Sequence, residues 1–327
     1  MTSDSFLFVS SLGKIFLYLV LVLLGGALAA PQAWHLIQLL PPDWLHGLIG
    51  KVQGMPFHRY LSRSLQVAAI LLLWPLLRSL RIRSLAEFGI MRNPRPLRDL
   101  SVGLAAGVLC AVLLQPMLLL SGSFVLRYGW DTSVLHALPR ILMTAIVVAA
   151  IEEFLFRGVL LGFFRQFTSP ALAIVFSSLL FAGVHFLNLP SSGDYASSPV
   201  WWSGLATMGS IGSALPAWPI LWLAFATLFA AGLILAWMTI RTASLWAGFG
   251  LHSCWILGQQ LFNAAAGFQL NPAGGFLPFI GPSQCNGMVP VGLVPLASLL
   301  IAGVLAALLL RKRVYPPSFP FFQLGKR

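Results

Sequence analysis

The chain has 327 residues, of which 58% are hydrophobic and 9% are charged, and its formal net charge is +12. A soluble core cannot enclose so much apolar surface, so the composition excludes an ordinary soluble globular protein and predicts an integral membrane protein. The positive charge does not indicate a nucleic-acid partner, because the Lys and Arg residues cluster at the ends of apolar segments, as in loops beside a bilayer. The three cysteines have no paired spacing, so we expect neither a disulfide framework nor a zinc knuckle.

Eight apolar stretches are each close to the roughly 20 residues that a helix needs to cross the hydrocarbon core. They cover residues 15–31, 64–80, 100–121, 139–165, 170–188, 217–240, 243–265 and 289–310. The first is expected to be kept as a helix, because its basic flank is thin and the cleavage site after it is weak. The amphipathic segment 32–63 is expected at the membrane interface. The sequence therefore predicts an all-α, polytopic membrane bundle of about eight transmembrane helices.

The distribution of Lys and Arg predicts the orientation of this bundle. Most of these residues fall on the side that carries the N-terminus, so both termini are expected to be cytoplasmic. No internal repeat and no soluble second domain is evident. We expect one integrated membrane domain in which 1–138 forms three transmembrane helices with the interfacial segment and 139–265 forms a helical core. Residues 266–327 then supply an outer loop, the last helix and a basic tail.

Two of the eight acidic residues, Glu152 and Glu153, stand side by side in the fourth apolar stretch, with Arg157 close behind. A charge at bilayer depth costs from a few to more than about ten kcal/mol, so such residues are usually paired and functional. Glu153 and Arg157 are four apart and share a helix face, which predicts a structural ion pair. Adjacent residues point about 100° apart, so Glu152 is left to face a cavity, where it can act as a general base.

Two histidines, His185 and His252, also lie inside apolar stretches. Counted from the cytoplasmic ends of their helices, Glu152, His185 and His252 lie about 20, 22 and 16 Å deep, at 1.5 Å per residue. Taken singly, each histidine is as readily explained by a hydrogen bond between helices. An acid and two imidazoles that meet at one depth suit the activation of a water for attack on a carbonyl, either directly or through a bound metal.

These residues resemble a family. The hexapeptide EEFLFR at 152–157 matches the EExxxR motif of the CPBP intramembrane proteases, the group that contains the type II CAAX prenyl proteases and the bacterial Abi proteins. FAGVH at 181–185 matches that family's FxxxH motif. Residues 244–252 are similar to its third signature, a small residue eight positions before a histidine. The order and intervals also agree, and the resemblance covers about residues 139–265.

The resemblance implies a CAAX protease type II-like core and an endopeptidase that acts on a membrane protein or lipid-associated peptide. By motif position Glu152 would be the general base, His185 its partner, and His252 a stabiliser of the oxyanion or a second group that holds water. Glu153 and Arg157 would support the site. The family has been described both as metalloproteases and as metal-independent glutamic proteases, so a divalent metal such as Zn, held by the acid and the two histidines, stays open.

One position departs from the family pattern. The family usually has an asparagine four residues after its last histidine, where the amide can donate to the developing oxyanion, and here that position is Ile256. Asn263 is about 16 Å from that histidine along the helix, too far to replace it. Asn188 could supply an amide instead, and Ser253 or Gln259 could supply a hydrogen-bond donor if the helix is irregular.

Two other functions remain as alternatives. A family member without proteolytic activity could serve as an immunity or partner-binding protein, and the isoleucine at position 256 is the main argument for it. A proton-relaying transporter would explain the same polar residues, but no pair of broken helices in repeated halves supports it. The expected location is a bacterial inner membrane, and the sequence does not identify the substrate.

Overall fold

A computed structural model of the full chain describes residues 3–80, 93, 95–127, 132–186, 198–215, 217–268, 277–281 and 290–310. The chain forms two compact units. The first combines Met1–Arg83 with Leu187–Leu215, and the second combines Ser84–Phe186 with Pro216–Arg327. The expected organisation into three consecutive segments of one membrane domain stays a prediction.

The first unit is built from α1, α2, α3, α8 and a short 3-10 helix, at Ser3–Gln38, Trp44–Gln53, Phe57–Ser79, Ser203–Gly209 and Ile211–Ala214. Helices α1 and α3 approach closely because Gly26 has no side chain: a β-carbon there would lie 2.7 Å from Cα of Leu65. Helix α2 has ten residues, too few to span, and exposes Trp44, Leu45 and Leu48. These features are typical of a helix at the membrane interface.

The second unit contains the remaining elements. Its helices are α4, α5, α6, α7, α9, α10 and α11, at Pro96–Leu120, Thr132–Glu152, Leu161–Phe167, Pro170–Val184, Trp218–Thr242, Trp246–Ala265 and Leu293–Leu310. A π-helical segment, Glu153–Leu160, joins α5 to α6. Buried residues of α4, α9, α10 and α11 share one apolar core, and many of them are small, such as Ala106, Ala231, Ala247 and Ala302. Small residues allow membrane helices to pack with their backbones close together.

Five of the eight predicted spans correspond to helices long and apolar enough to cross a membrane. These are Leu12–Gln38, Phe57–Ser79, Pro96–Leu120, Trp218–Thr242 and Leu293–Leu310. The other three predicted spans are also helical, but the first is interrupted by the π segment, the second is the 15-residue α7 and the third, α10, carries several polar side chains. The all-α membrane bundle is confirmed, and the three less regular helices are those that hold the polar motifs.

A short pair of strands was not predicted. Strands β1, Phe124–Leu126, and β2, Ala266–Phe268, pair antiparallel with Phe124 opposite Phe268 and Leu126 opposite Ala266. Strand β2 follows α10 directly and β1 begins shortly after the end of α4, so the pair ties together the ends of the two helices. Three-residue strands leave too short an alternation of apolar and polar residues to be recognised in a sequence this hydrophobic.

Candidate active site

The predicted ion pair is present at the start of the π-helical segment. Nη1 of Arg157 lies 3.1 Å from Oε1 of Glu153, and each side chain is only 1% exposed. The contact is electrostatic, because Nη1 and Nη2 of Arg157 have no aligned hydrogen bond among the described residues. The i,i+4 spacing predicted this pair, whereas the π geometry around it was not predicted. Such segments occur often at functional sites.

Helix α10 brings His252 to the same carboxylate, a contact that the sequence did not predict. Nδ1 of His252 lies 2.8 Å from Oε1 of Glu153. On the other side of the ring, Nε2 of His252 lies 3.7 Å from Oε2 of Glu152. The two glutamates therefore contact opposite edges of one imidazole.

Helix α7 supplies His185, the last residue before the chain leaves the helix. The helix begins with a capping side chain and a proline, since Oγ of Ser169 accepts from N–H of Leu172 and Pro170 occupies the first turn. At the other end, Nδ1 of His185 lies 2.7 Å from the carbonyl of Phe181, the first residue of the FxxxH motif. Nε2 of His185 then lies 3.8 Å from Oε2 of Glu152.

The hydrogen bonds of the two histidines determine where their protons lie. The carbonyl of Phe181 and the carboxylate of Glu153 can only accept, so Nδ1 of His185 and Nδ1 of His252 must each carry a hydrogen. In a neutral ring Nε2 is then an acceptor. Two acceptor nitrogens and Oε2 of Glu152 thus face one another at 3.7 and 3.8 Å, beyond direct hydrogen-bond distance. This arrangement suits a small donor, such as a water, held among the three atoms.

Exposure differs among the three side chains. Glu152 is 24% exposed and His185 is 21% exposed, whereas His252 is only 7% exposed. Part of each of the first two side chains therefore lies at the edge of the helix packing, whereas Oε2 of Glu152 itself is buried. His252 forms the inner wall of the site.

One aromatic ring contacts the guanidinium and both histidines. The guanidinium of Arg157 lies 4.2 Å from the ring centroid of Phe181, close enough for a cation–π interaction. The same ring lies 4.6 Å from the ring of His185 and 5.8 Å from that of His252. Phe181 therefore packs against the Arg157 guanidinium and both imidazoles at once. The FxxxH motif marked this residue by its spacing, but its contact with Arg157 required the tertiary structure.

The start of α10 is held by a buried polar network. Oγ of Ser244 accepts from the backbone N–H of Trp246 at 3.3 Å and from Nδ2 of Asn93 at 3.0 Å. The same amide nitrogen donates to Oδ2 of Asp99 at 2.7 Å, and Asp99 lies near the start of α4. Ser244, the small residue of the third signature, therefore connects α10 to the first turn of α4.

Three residues were candidates to replace the asparagine that the family has four positions after its last histidine. Asn188 lies outside the described residues. The hydroxyl of Ser253 donates to the carbonyl of Gly250 at 3.3 Å, and Nε2 of Gln259 donates to Oδ1 of Asn263 at 3.1 Å. Both of these donors are thus engaged within α10.

The acid and the two histidines also form a candidate metal site. Two imidazole nitrogens and a carboxylate oxygen are a suitable donor set for Zn. At metal–ligand distances of about 2.0–2.1 Å, tetrahedral ligand atoms lie about 3.4 Å apart, closer than the 3.7 and 3.8 Å found here. In the part of the chain that the structure describes, no group of three or more His, Cys, Asp or Glu side chains has metal-binding geometry. The donor chemistry fits a metal, and the three donor atoms lie slightly farther apart than a bound metal would hold them.

The apolar helices and the buried acid–imidazole cluster define an integral membrane protein with a polar site inside its second unit. Residues 134–257 match the family model described as Type II CAAX prenyl endopeptidase Rce1-like. No curated protein and no solved structure matches the chain. The matched segment contains the acid, the ion pair and both histidines. Over these residues the chain is similar to the CAAX-type intramembrane proteases, which agrees with the resemblance of its three motifs to the CPBP family.

Proposed function

We propose that this protein is an intramembrane endopeptidase that hydrolyses a peptide bond of a membrane protein or lipid-associated peptide, with Glu152 as the general base. The observation that carries the proposal is the position of Oε2 of Glu152, 3.8 Å from Nε2 of His185 and 3.7 Å from Nε2 of His252. A water at this position can donate hydrogen bonds to the acceptor atoms around it, which are too far apart to bond to one another. Its oxygen lone pairs remain available for attack on a carbonyl.

The first chemical step follows from the acceptors around the water. The water donates one hydrogen to Glu152 and the other to Nε2 of His185. As its oxygen bonds to the scissile carbonyl carbon, Glu152 takes the first proton and the carbonyl becomes an oxyanion. When the tetrahedral intermediate breaks its C–N bond, the proton on Glu152 passes to the leaving amine nitrogen. Products are a carboxylic acid and an amine, and Glu152 is again ionised.

His252 is suited to stabilise the oxyanion. One water has two hydrogens and faces three acceptors, so one acceptor is left for another proton. His252 lies against a second carboxylate, with Nδ1 2.8 Å from Oε1 of Glu153, and this contact directs Nε2 toward the site. When Nε2 of His252 carries a proton, it donates to the oxyanion. It would thus replace the asparagine amide of the family, whose position is occupied here by Ile256.

Replacement of the base tests the proposal. Glu152→Gln keeps the size of the side chain and removes its basicity, so we expect cleavage to fall by at least about a thousandfold, while the protein still accumulates in membranes. The readout is a comparison of membrane proteomes from cells that produce the wild type or the variant, in which a substrate appears uncut only in the variant. Asp43→Asn, which changes an exposed carboxylate in the first unit, is the control. Retained cleavage in Glu152→Gln would remove this residue from the mechanism.

Ile256 and the engaged donors of α10 favour one second candidate, an immunity or partner-binding protein that does not cut its partner. Under that function, Glu152→Gln would leave the biological phenotype intact and no membrane protein would change in length. A comparison of the wild-type and Glu152→Gln strains therefore distinguishes the protease from the partner-binding protein.

Metal dependence and membrane orientation belong to the proposal as well. If Zn is bound, Glu152, His185 and His252 would hold it and it would polarise the water. Full activity after exhaustive chelation would exclude this role.

We propose a bacterial inner-membrane location with both termini cytoplasmic. Accessibility of single cysteines placed at the two termini, in intact and in opened cells, tests the orientation.

A further inference from the structure

Gly248 lies against the carboxylate that orients His252. A β-carbon at position 248 would lie 2.8 Å from Oε2 of Glu153, too close for any real contact of that kind. Gly248 is one helical turn before His252, so both residues are on the same face of α10. One carboxylate oxygen of Glu153 contacts the imidazole, and the other lies where a side chain of residue 248 would be.

The carboxylate of Glu153 has little freedom to yield. Its Oε1 is 2.8 Å from Nδ1 of His252 and 3.1 Å from Nη1 of Arg157, and the side chain is 1% exposed. A methyl group at position 248 would push Oε2 by several tenths of an ångström. Any such movement lengthens one or both of the contacts made by Oε1.

Helix α10 cannot move away from Glu153 either, because α4 packs against its opposite side. Gly250 is two residues from Gly248 and points about 200° away around the helix. A β-carbon on Gly250 would lie 2.5 Å from the carbonyl of Leu100 on α4. On the neighbouring face, a β-carbon on Gly107 of α4 would lie 2.6 Å from Cβ of Cys254. The helix is therefore in close contact with α4 on one side and with Glu153 on the other.

We propose that Gly248 is a positioning residue, whose missing side chain lets the Glu153 carboxylate lie against α10 and hold His252 with Nε2 toward Glu152. Gly248 touches neither the water nor the substrate in this scheme, and it acts through Glu153. The expected effect of residue 248 on catalysis rests on the proposed function. Its expected effect on the stability of the fold does not.

The packing consequence is tested by a double-mutant cycle on the purified, full-length protein, with thermal unfolding in detergent as the readout. Gly248→Ala should lower the unfolding temperature strongly in the wild-type background. Glu153→Asp shortens the side chain by one methylene and withdraws the carboxylate from position 248. In the Glu153→Asp background the same Gly248→Ala change should therefore cost much less, a non-additivity expected only for groups in contact. Equal losses in the two backgrounds would overturn the proposal.

The catalytic consequence is tested by steady-state kinetics on the substrate found with Glu152→Gln. Gly248→Ala should lower kcat by about tenfold to a hundredfold, the range seen when an outer partner of a functional histidine is lost, with KM nearly unchanged. The pH dependence of kcat should also change, because His252 loses its fixed tautomer. A lower kcat with an unchanged pH profile and a raised KM would indicate a general packing defect and overturn the positioning role.

Two matched glycine variants separate this effect from crowding in general. Gly258→Ala is on the same helix, and its β-carbon would have its nearest neighbours at 3.4 Å, so it should leave stability and kcat near wild type. Gly232→Ala on α9 would bring a β-carbon to 2.8 Å from Cβ of Ser178, away from the carboxylates. It should lower stability without changing the pH profile. If no variant, wild type included, cleaves any protein, the proposed function fails, and the unfolding cycle still decides the packing role of Gly248.

Discussion

Polar groups find their partners in different ways in the α1–α3 pair of the first unit and in the site of the second unit. Between α1 and α3, the hydroxyl of Tyr18 donates to the carbonyl of Ala69 at 3.0 Å, and Nζ of Lys14 reaches the carbonyl of Ser79 at 3.0 Å. These are single donors bonded to backbone carbonyls. In the site, two carboxylates, a guanidinium and two imidazoles contact one another among three separate helical segments.

The difference predicts how strongly each region depends on single side chains. A hydroxyl that loses its carbonyl partner leaves one neutral acceptor, and such bonds between membrane helices are worth about 0.6 kcal/mol on average. A buried charge that loses its partner is left uncompensated, at a cost of about 3–5 kcal/mol. Substitutions should therefore be graded by the charge they leave behind. The four variants below test that grading.

The largest loss of stability is expected for Arg157→Ala, which leaves Glu153 buried without its cation. We expect a loss of about 3–5 kcal/mol and little folded protein in membranes, measured as folded yield and unfolding temperature in detergent. Arg157→Lys should retain part of the stability, because it keeps the charge. Arg63→Ala in α3, whose partner Gln66 is exposed, is the control and should change stability by less than about 0.5 kcal/mol. Full abundance of an inactive Arg157→Ala would instead place this residue in the chemistry.

A smaller loss is expected for Phe181→Leu, which removes the ring below the guanidinium at 4.2 Å. A desolvated cation–π contact is worth about 2 kcal/mol, so stability should fall by about that amount. Activity should fall as well, since His185 loses a ring contact at 4.6 Å. Phe156→Leu is the comparison, because the guanidinium lies farther from that ring, at 5.8 Å, and it should cost less. Equal losses for the two variants would show that apolar volume, rather than the cation–π contact, stabilises the site.

Ser244→Ala should cost about 1 kcal/mol, because it removes the acceptor of the Trp246 N–H and one acceptor of the Asn93 amide. The amide of Asn93 keeps its bond to Asp99, which limits the loss. Thermal unfolding measures the effect, with Ser79→Ala at the end of α3 as the control. A loss as large as that of Arg157→Ala would mean that this neutral network, rather than the ion pair, dominates the second unit.

The smallest effect is expected for Tyr18→Phe, at about 0.5–1 kcal/mol, since one neutral hydrogen bond to Ala69 is lost and the ring is kept. The same unfolding assay applies. The contrast between the two regions would not hold if this variant proved as destabilising as Phe181→Leu.

The sequence contained the positions of the site but not all of its contacts. Glu152, His185 and His252 could be placed at one depth, because each helix advances by a constant rise per residue. The i,i+4 spacing likewise predicted the ion pair of Glu153 and Arg157, which the structure contains. The second partner of Glu153 was missed, since His252 is 99 positions away and contacts it only when α10 has the right rotation.

Local signals also explain which helices were predicted well. Long runs of apolar residues identify a span without any tertiary information, and five such runs became helices able to cross a membrane. The π-helical segment and the three-residue strands have no comparable signature, because each depends on a few backbone bonds within a particular packing.

The sequence by itself determined that this chain is an integral membrane protein, that it is helical, and that an acid, an ion pair and two histidines belong to its polar interior. Those conclusions follow from composition and from distances along one helix, which are fixed by covalent geometry. Only the tertiary structure decided that one carboxylate holds both a guanidinium and an imidazole, and that a glycine makes room for it. Contacts of that kind depend on how closely two helices approach, and a single methyl group changes that distance.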